Sequence, residues 1–342
     1  MRAIVINGKE DLELTEVTTP EPTSGQVRLR MAYAGICGSD LHYYYEGANG
    51  AFVVREPLIP GHEVSGTVDL DPDGGLAPGT PVTVHPATFG QVQPGIADRP
   101  HLWPGGAYLG SASTWPHTQG GMSEFLLVDR SMVRVLPESL SLRRAALAEP
   151  LGVGLHGITL AGGVEGKSVL VTGSGPIGLL AAAAALAKGA AEVTATDVLP
   201  GPLERARSLG VHHTINVTSQ ELPQESFDVV LECSGVPASI NAAFLAARRA
   251  GTHVQVGMVP NEALGINLAP AISKELTFHG SFRFSDEIDD AIALLDADPG
   301  IEQVITHELP AERSVEAFAA ARDSAASGKV LVSLWPDEGG DG

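Results

Sequence analysis

Residues 168–178 read SVLVTGSGPIG, and this stretch decides the fold of the second half of the chain. The run SVLVT is typical of a buried strand, and PIGLLAAAAALAKG, from residue 176, has the apolar composition of a packed helix. Between them, Gly173, Gly175 and Gly178 form a G-x-G-x-x-G pattern. The first glycine permits a tight turn, the second lets the backbone approach a pyrophosphate, and the third lets the helix pack closely. The stretch therefore predicts a strand–turn–helix unit that binds phosphates at the helix N-terminus.

An acidic residue, Asp197, ends the next predicted strand, 19 residues after Gly178. A carboxylate at this point accepts hydrogen bonds from the adenosine ribose of a dinucleotide and repels a 2′-phosphate. The spacing predicts an NAD site rather than an NADP site, and the alternative is a glycine turn in an unrelated α/β domain. The residues assigned to this site are Gly173, Gly175, Pro176, Ile177, Gly178 and Asp197.

The rest of the chain divides into two kinds of pattern. From about residue 151, strands alternate with helices, which predicts a parallel, doubly wound sheet. Residues 1–150 instead contain short Val-rich runs bounded by Gly, Pro and Asp, which indicates a β-rich region. Pro and Gly cluster between about 86 and 121, and an irregular stretch of that length is usually functional. The predicted fold class is α/β with two domains, as the length of 342 residues also suggests.

The composition excludes several functional classes. The chain has 21 basic and 41 acidic residues, a net charge of −20, so it repels nucleic acids and anionic membrane surfaces. Two cysteines exclude a disulfide scaffold and are typical of a reducing compartment. The first residues, MRAIVINGKEDLEL, lack the apolar run of a signal peptide, so we expect a cytoplasmic protein.

Three short motifs in the first 150 residues carry potential metal ligands. They are Cys37 in GICGSDLH, His62 and Glu63 in PGHE, and Glu149 just before Pro150. Thiolate, imidazole and carboxylate groups bind zinc, and a zinc ion with an open position acts as a Lewis acid. The spacing alone leaves two interpretations open: a catalytic zinc site, or an inert buried cysteine beside an ordinary core histidine.

Taken in order, GICGSDLH, PGHE, AEPLGVGLHG and VTGSGPIG with its acidic strand end resemble the zinc-dependent medium-chain alcohol dehydrogenases. The chain is similar to the polyol branch of that family, and YLGSAS, PHTQGGMSEFLLV and FHGSFRF resemble its L-idonate 5-dehydrogenases. The resemblance implies a GroES-like β-rich substrate domain at residues 1–150 with 284–342. It also implies a doubly wound parallel Rossmann domain at residues 151–283.

The resemblance further implies a catalytic zinc site. Cys37, His62 and Glu63 match the zinc ligands of the polyol branch, and Asp40 matches a carboxylate that orients the histidine ligand. Glu149 matches a carboxylate that binds the zinc directly or through a water molecule. Many relatives bind a second, structural zinc with four cysteines, which this chain does not contain. We therefore expect one zinc ion per subunit.

Roles in catalysis and binding are implied in the same way. Ser39 matches the hydroxyl that takes the substrate proton, and His42 lies where a relay would pass it to solvent, although a surface histidine is the alternative. Tyr43 and Arg283 match substrate-contacting positions, and the alternative for Arg283 is an ion pair with Asp286 or Glu287. The backbone expected to meet the nicotinamide is that of Val256 and Gly257.

The implied activity is hydride transfer between NAD and a secondary hydroxyl of a polyol or sugar acid. L-Idonate is the implied substrate and 5-keto-D-gluconate the product. Sorbitol, xylitol or L-threonine dehydrogenase activity is the alternative on the same scaffold. An alternative of another class is a non-catalytic dinucleotide-binding protein. The family implies a homodimer or homotetramer, and no nucleic acid or membrane partner is expected.

Overall fold

The computed structural model describes residues 1–335, and the chain divides into two compact units. The first unit contains residues 1–149 and 305–323 and, of the described residues, 329–335. The second contains residues 150–304 and 324–328. Residues 336–342, which the predicted first domain includes, lie outside the described residues.

The first unit is rich in short strands, as predicted. Most of its strands come from the segment before residue 150, which also contains two short helices and a 3-10 turn at Pro100–Leu102. The elements are β1 (Arg2–Gly8), β2 (Asp11–Glu16), β3 (Gln26–Gly35), α1 (Gly38–Glu46), β4 (Ala48–Asn49), β5 (Phe52–Val53), β6 (Glu63–Leu70), β7 (Pro81–Val84), β8 (Ala87–Thr88), β9 (Ala107–Tyr108), β10 (Phe125–Asp129), β11 (Val133–Val135) and α2 (Leu142–Ala145).

The second unit alternates strands and helices. The strands pair in parallel in the order β14-β13-β12-β15-β16-β17, which confirms the predicted doubly wound sheet. Its elements are α3 (Ala148–Leu160), β12 (Ser168–Thr172), α4 (Pro176–Ala187), β13 (Glu192–Asp197), α5 (Pro200–Ser208), β14 (His213–Asn216), β15 (Phe227–Glu232), α6 (Pro237–Ala246), β16 (Ala247–Gln255), α7 (Ala269–Ser273), β17 (Thr277–Gly280) and α8 (Ile288–Ala297).

The last described segment returns to the first unit. It forms β18 (Ile305–Pro310), α9 (Ser314–Arg322) and β19 (Lys329–Ser333). Strand β19 pairs antiparallel with β3, and β18 pairs with β19, so the main sheet of the first unit runs β11-β7-β6-β3-β19-β18. The C-terminal strands thereby bring residues from the far end of the chain next to β3 and β6.

The second domain boundary differs from the predicted one. It lies at 304/305 rather than 283/284, because residues 284–304 contact the second unit. Glu287 pairs with His156 on α3 at 2.8 Å, and Asp290 on α8 pairs with Lys188 after α4 at 2.9 Å. The sequence pattern of α8 gave only an amphipathic helix, and such a pattern does not specify which unit its apolar face covers.

The pair between Glu287 and His156 predicts a pH dependence of stability. Burial would raise the pKa of Glu287, but the hydrogen bond and charge of His156 outweigh burial and lower the pKa to about 2, from 4.5. A depressed carboxyl pKa stabilises the fold above its unfolded value and loses this contribution as the pH falls toward the folded value. We therefore expect Glu287→Gln to lower the melting temperature at neutral pH and to have a shrinking effect between pH 4.5 and about 2.

Thermal unfolding of both proteins across this pH range measures the effect. Glu221→Gln serves as the control, because Glu221 is an exposed residue of the same unit. A difference in melting temperature that stays constant from pH 7 to pH 2 would contradict the proposed linkage.

No helix within residues 1–335 is both long enough and apolar enough to cross a lipid bilayer.

Candidate metal and dinucleotide sites

A cluster of metal-ligand side chains forms where β3 and β6 lie side by side in the first unit. Cys37 lies between β3 and α1, while His62 immediately precedes β6 and Glu63 is its first residue. The strand register pairs Gly35 with Glu63, and a β-carbon at Gly35 would collide with the Glu63 carboxylate. The ligand atoms of Cys37, His62 and Glu63 lie within 4.8 Å of one another. Antiparallel pairing thus brings together two motifs that are separated in the sequence.

The cluster has the properties of a cation site. Burial would lower the pKa of His62, but the charges of Cys37, Glu149 and Asp40 outweigh it and raise the pKa to about 10. Its Nδ1 atom is buried and has no hydrogen-bond partner among the described residues. A buried group of acids around an imidazole is stabilised by a bound cation, and a Cys, His and Glu donor set suits zinc. The residues present therefore fit a zinc ion.

Asp40 holds the two ligand-bearing loops through their backbone. Its fully buried carboxylate accepts a hydrogen bond from the Cys37 N–H at 2.9 Å and one from the Gly61 N–H at 3.3 Å. Burial raises the pKa of Asp40. These backbone contacts fix the positions of Cys37 and of Gly61, the residue before His62.

A buried lysine that the sequence motifs did not indicate contacts Glu63. Lys329, the first residue of β19, places its Nζ atom 2.6 Å from both carboxylate oxygens of Glu63. The Lys329 side chain is 3% exposed and that of Glu63 is fully buried. Burial alone would lower the pKa of Lys329, but the charges of Glu63, Cys37 and Glu149 outweigh it and raise the pKa. Lys329 therefore stays protonated and compensates part of the negative charge of the cluster.

Glu149 lies beside the cluster and is held by a tyrosine. The hydroxyl of Tyr108 donates a hydrogen bond of 2.5 Å to Oε1 of Glu149, and the Tyr108 ring meets the His62 ring edge-on at 5.4 Å. Burial raises the pKa of Glu149, and the charge of His62 acts in the opposite direction. Tyr108 comes from β9, within the irregular stretch, where pairing with β8 fixes its position.

The other residues predicted on α1 have different environments. Ser39 is half-buried and lies two residues after Cys37. His42 is exposed, and its Nδ1 atom lies 3.2 Å from a carboxylate oxygen of Glu46, one helical turn later. Tyr43 is 2% exposed, and its hydroxyl hydrogen-bonds to Ser111 and accepts the N–H of Ala112. Both hydrogen bonds of the Tyr43 hydroxyl thus go to the protein itself, one to the Ser111 side chain and one to the Ala112 backbone.

The glycine turn of the second unit has the predicted geometry. Gly173 has a φ of +82°, which favours glycine, and a β-carbon at Gly178 would collide with the Gly173 carbonyl oxygen. A β-carbon at Gly175 would meet nothing within 4 Å, which leaves room for a ligand beside the backbone. Gly175 precedes α4, whose first residues are Pro176 and Ile177. The free N–H groups of this helix start suit a pyrophosphate.

Asp197 ends β13 next to the glycine turn. One of its oxygens accepts the N–H of Ser174 at 2.9 Å, and the other accepts that of Leu199 at 2.9 Å. Each carboxylate oxygen has a second lone pair, so a ribose hydroxyl can still donate to it. The backbone N–H groups of Val256 and Gly257 both bind the carbonyl of Glu232, so the segment after β16 is anchored to the end of β15.

Arg283 follows β17 in the second unit. Its backbone has a φ of +54°, and its guanidinium lies 4.8 Å from the centre of the Phe282 ring. Glu287, one of its two suggested ion-pair partners, uses its carboxylate to bind His156 and the Ser285 N–H.

Two family models match this architecture. The model described as "Alcohol dehydrogenase GroES-like domain" matches residues 23–138, and the one described as "Zinc-binding dehydrogenase" matches residues 176–297. The chain belongs to the zinc-dependent alcohol dehydrogenase family. This confirms the resemblance and the fold class, and it identifies the chain as an enzyme.

The relatives of this zinc-dependent dehydrogenase include enzymes named for polyols and sugar acids. Sorbitol dehydrogenase of Gallus gallus is 35% identical and the match covers 92% of each chain. The Escherichia coli protein named L-idonate 5-dehydrogenase (NAD(P)(+)) is 34% identical, with 86% of this chain and 87% of the relative covered. The solved E. coli L-idonate 5-dehydrogenase structure has a TM-score of 0.91 at 31% identity, covering 97% of each chain.

Three residues of this dehydrogenase were missed by sequence reasoning. Lys329 and Glu232 lie in ordinary strand-like runs, and Tyr108 lies in the irregular stretch between residues 86 and 121, so no local pattern marked their contacts. A lysine in the otherwise apolar final run KVLVSLW was the one available signal for Lys329, because a lone charge at a core-facing strand position requires a partner.

Proposed function

We propose that the chain oxidises a secondary hydroxyl of a sugar acid with NAD, with L-idonate as substrate and 5-keto-D-gluconate as product. The observation that carries this proposal is the group formed by the half-buried Cys37 and the buried His62 and Glu63, with Glu149 beside it. The sugar-acid assignment is supported by the similarity to the protein named L-idonate 5-dehydrogenase. Sorbitol dehydrogenases match over a similar share of the chain, so neutral polyols are the competing substrates.

The metal would be held by Cys37, His62 and Glu63, and a bound zinc ion supplies Lewis-acid polarisation of the substrate hydroxyl. Glu149 and Lys329 set the charge around these ligands. One zinc ion per subunit is part of the proposal.

The proton of the substrate hydroxyl passes to the side chain of Ser39 and then to His42. A serine hydroxyl suits a relay because it both accepts and donates a hydrogen bond. The exposure of His42 supports its place as the last group before solvent, since its imidazole can exchange protons with water directly. The Ser39 and His42 side chains leave α1 three residues apart, on neighbouring positions of the helix surface.

The second unit would hold NAD, whose nicotinamide would supply the acceptor for the hydride of the carbinol carbon. The pyrophosphate would bind to the glycine turn and the start of α4, formed by Gly173, Gly175, Pro176, Ile177 and Gly178. Asp197 accepts hydrogen bonds from the adenosine ribose hydroxyls and repels a 2′-phosphate, which favours NAD over NADP. The backbone of Val256 and Gly257 meets the nicotinamide.

Arg283 is the proposed anchor for the carboxylate of the sugar acid, because a guanidinium binds a carboxylate through two parallel hydrogen bonds. Tyr43 is the second proposed substrate contact, and its side chain is 2% exposed.

Initial rates of NAD reduction with L-idonate, sorbitol, xylitol and L-threonine at matched concentrations test this function. We expect the highest kcat/KM for L-idonate, and a higher rate with NAD than with NADP. Arg283→Met is expected to raise KM for L-idonate by about 10- to 100-fold, the value of a lost hydrogen bond to a charged group. The same substitution is expected to change KM for sorbitol far less.

Arg283→Lys is the matched control, since it keeps the charge and loses the two-pronged geometry. A preference for sorbitol or xylitol would assign the enzyme to neutral polyols and leave Arg283 as a ligand of hydroxyl groups. Equal effects of Arg283→Met on both substrates would contradict its role as a carboxylate anchor.

A further inference from the structure

A buried carboxylate at the end of β15 joins three loops of the second unit. Glu232 is fully buried. Its Oε1 atom accepts hydrogen bonds from Thr172 Oγ1 at 3.2 Å, from Ser239 Oγ at 2.9 Å, and from both the N–H and the hydroxyl of Ser234. Its Oε2 atom accepts the Gly235 N–H at 2.9 Å and Gln255 Nε2 at 2.5 Å. One side chain thus links the ends of β12, β15 and β16.

These three strand ends border the ligand crevice of the sheet. The strand order β14-β13-β12-β15-β16-β17 reverses direction between β12 and β15, and ligands of such sheets bind outside the carboxyl ends at this point. Thr172 immediately precedes the glycine turn, whose Gly173 would meet Ser234 if it carried a β-carbon. A dinucleotide whose adenosine ribose is at the end of β13 extends across β12 toward β15 and β16. Its nicotinamide half therefore meets the loops that Glu232 joins.

Gln255 extends the linkage to the segment after β16. Its amide nitrogen donates both to Glu232 and to the Gly257 carbonyl at 2.9 Å. Its amide oxygen therefore faces Nε2 of His253, 3.3 Å away, which must carry the proton. The same assignment leaves Nδ1 of His253 as a bare acceptor, and that atom is buried with no partner among the described residues. The position of Gly257 is thus fixed by a chain of oriented side chains.

We propose that Glu232 is a positioning residue that pre-organises the glycine turn and the 255–257 segment for the dinucleotide. This rests on the proposed dinucleotide-dependent function. The carboxylate itself is occupied by protein donors and touches no ligand atom in this proposal. Its contribution is to hold the loops in place before binding, so that binding does not have to order them.

Glu232→Gln tests the proposal with almost no change in volume. An amide nitrogen in place of Oε2 would face two donors, the Gly235 N–H and the Gln255 amide. In place of Oε1 it would face the Ser234 N–H. Either orientation leaves a buried N–H without an acceptor, so we expect NADH to bind roughly tenfold more weakly. ADP-ribose is expected to bind more weakly as well, because the glycine turn is also affected.

Gln255→Met provides a second test, because it keeps the Glu232 carboxylate and its contacts with the glycine-turn side, and removes the hydrogen bonds of Gln255 to Glu232, Gly257 and His253. We expect NADH to bind about threefold more weakly, with the affinity for ADP-ribose unchanged, since ADP-ribose lacks the nicotinamide. Binding to the full-length protein is followed by titration calorimetry, and the folded fraction by circular dichroism. Glu221→Gln is the control for loss of an exposed charge in the same unit.

The possible results separate this inference from the proposed function. Failure of the unmodified protein to bind NADH would overturn both. Binding by the unmodified protein, together with unchanged NADH affinity in folded Glu232→Gln, would overturn the role of Glu232 alone. Should Glu232→Gln fail to fold, an equal effect of Gln255→Met on NADH and ADP-ribose would overturn the proposal.

Discussion

Cys37→Ser is expected to remove most of the bound zinc and to reduce kcat/KM by more than about 100-fold. Substituting partners that only orient metal ligands costs up to about 100-fold in affinity or activity, and loss of a ligand costs more. The Sγ atom of Cys37 lies within 4.8 Å of the His62 and Glu63 ligand atoms, and this group contains no other sulfur ligand. Metal analysis of the purified protein and initial rates measure the two effects.

The second cysteine supplies a matched control. Cys233 follows Glu232 in the second unit, and burial raises the pKa of its thiol, so it remains a neutral thiol rather than a metal-binding thiolate. We expect Cys233→Ser to keep its zinc content. Chelation is expected to inactivate the unmodified enzyme, and added zinc to restore it. Full turnover after chelation, or zinc-loaded Cys37→Ser with unchanged rates, would exclude the proposed metal role.

Lys329→Met is expected to destabilise the metal-free protein by about 3–5 kcal/mol. Removing one partner of a buried ion pair leaves the other charge uncompensated, and this is the usual cost. The remaining carboxylate of Glu63 would be fully buried near Glu149, without the ammonium that now contacts both of its oxygens. The double substitution Lys329→Met with Glu63→Gln is expected to recover part of the lost free energy, because it removes the unpaired charge.

Urea unfolding followed by tryptophan fluorescence measures this effect in the first unit. The three tryptophans, Trp103, Trp115 and Trp335, all belong to that unit. Lys9→Met is the control, because Lys9 is the other lysine of the first unit and is exposed. A loss of stability no greater than that of Lys9→Met would show that the contact between Lys329 and Glu63 contributes little to the fold.

The short motifs were predictable because each depends on the conformation of a few residues that are adjacent in the sequence. The turn at Gly173–Gly178 requires a positive φ at its first residue and no side chain at its last, and both demands are read directly from glycine positions. The spacing to Asp197 follows from one strand–helix–strand unit of ordinary length. The ligand types in GICGSDLH and PGHE likewise named the metal candidates before their geometry was known.

The environment of each candidate residue was harder to predict from the sequence than its place in a motif. Tyr43 and His42 are neighbours in the sequence, but one is buried with its hydroxyl bonded and the other is exposed beside Glu46. The helix period separates their directions, but only the packing of α1 decides which direction is buried. For the same reason, the pattern of α8 did not reveal that residues 284–304 contact the second unit.

The sequence by itself determined the fold class, the dinucleotide turn and the residue types of the metal site, because each depends on neighbours within one or two elements. The tertiary structure alone decided which distant groups set their charge and position. Lys329 reaches Glu63 across 266 residues, Tyr108 reaches Glu149 from the short strand β9, and Glu232 joins the ends of three strands. Such contacts depend on the order in which strands pair, and no local pattern encodes that order.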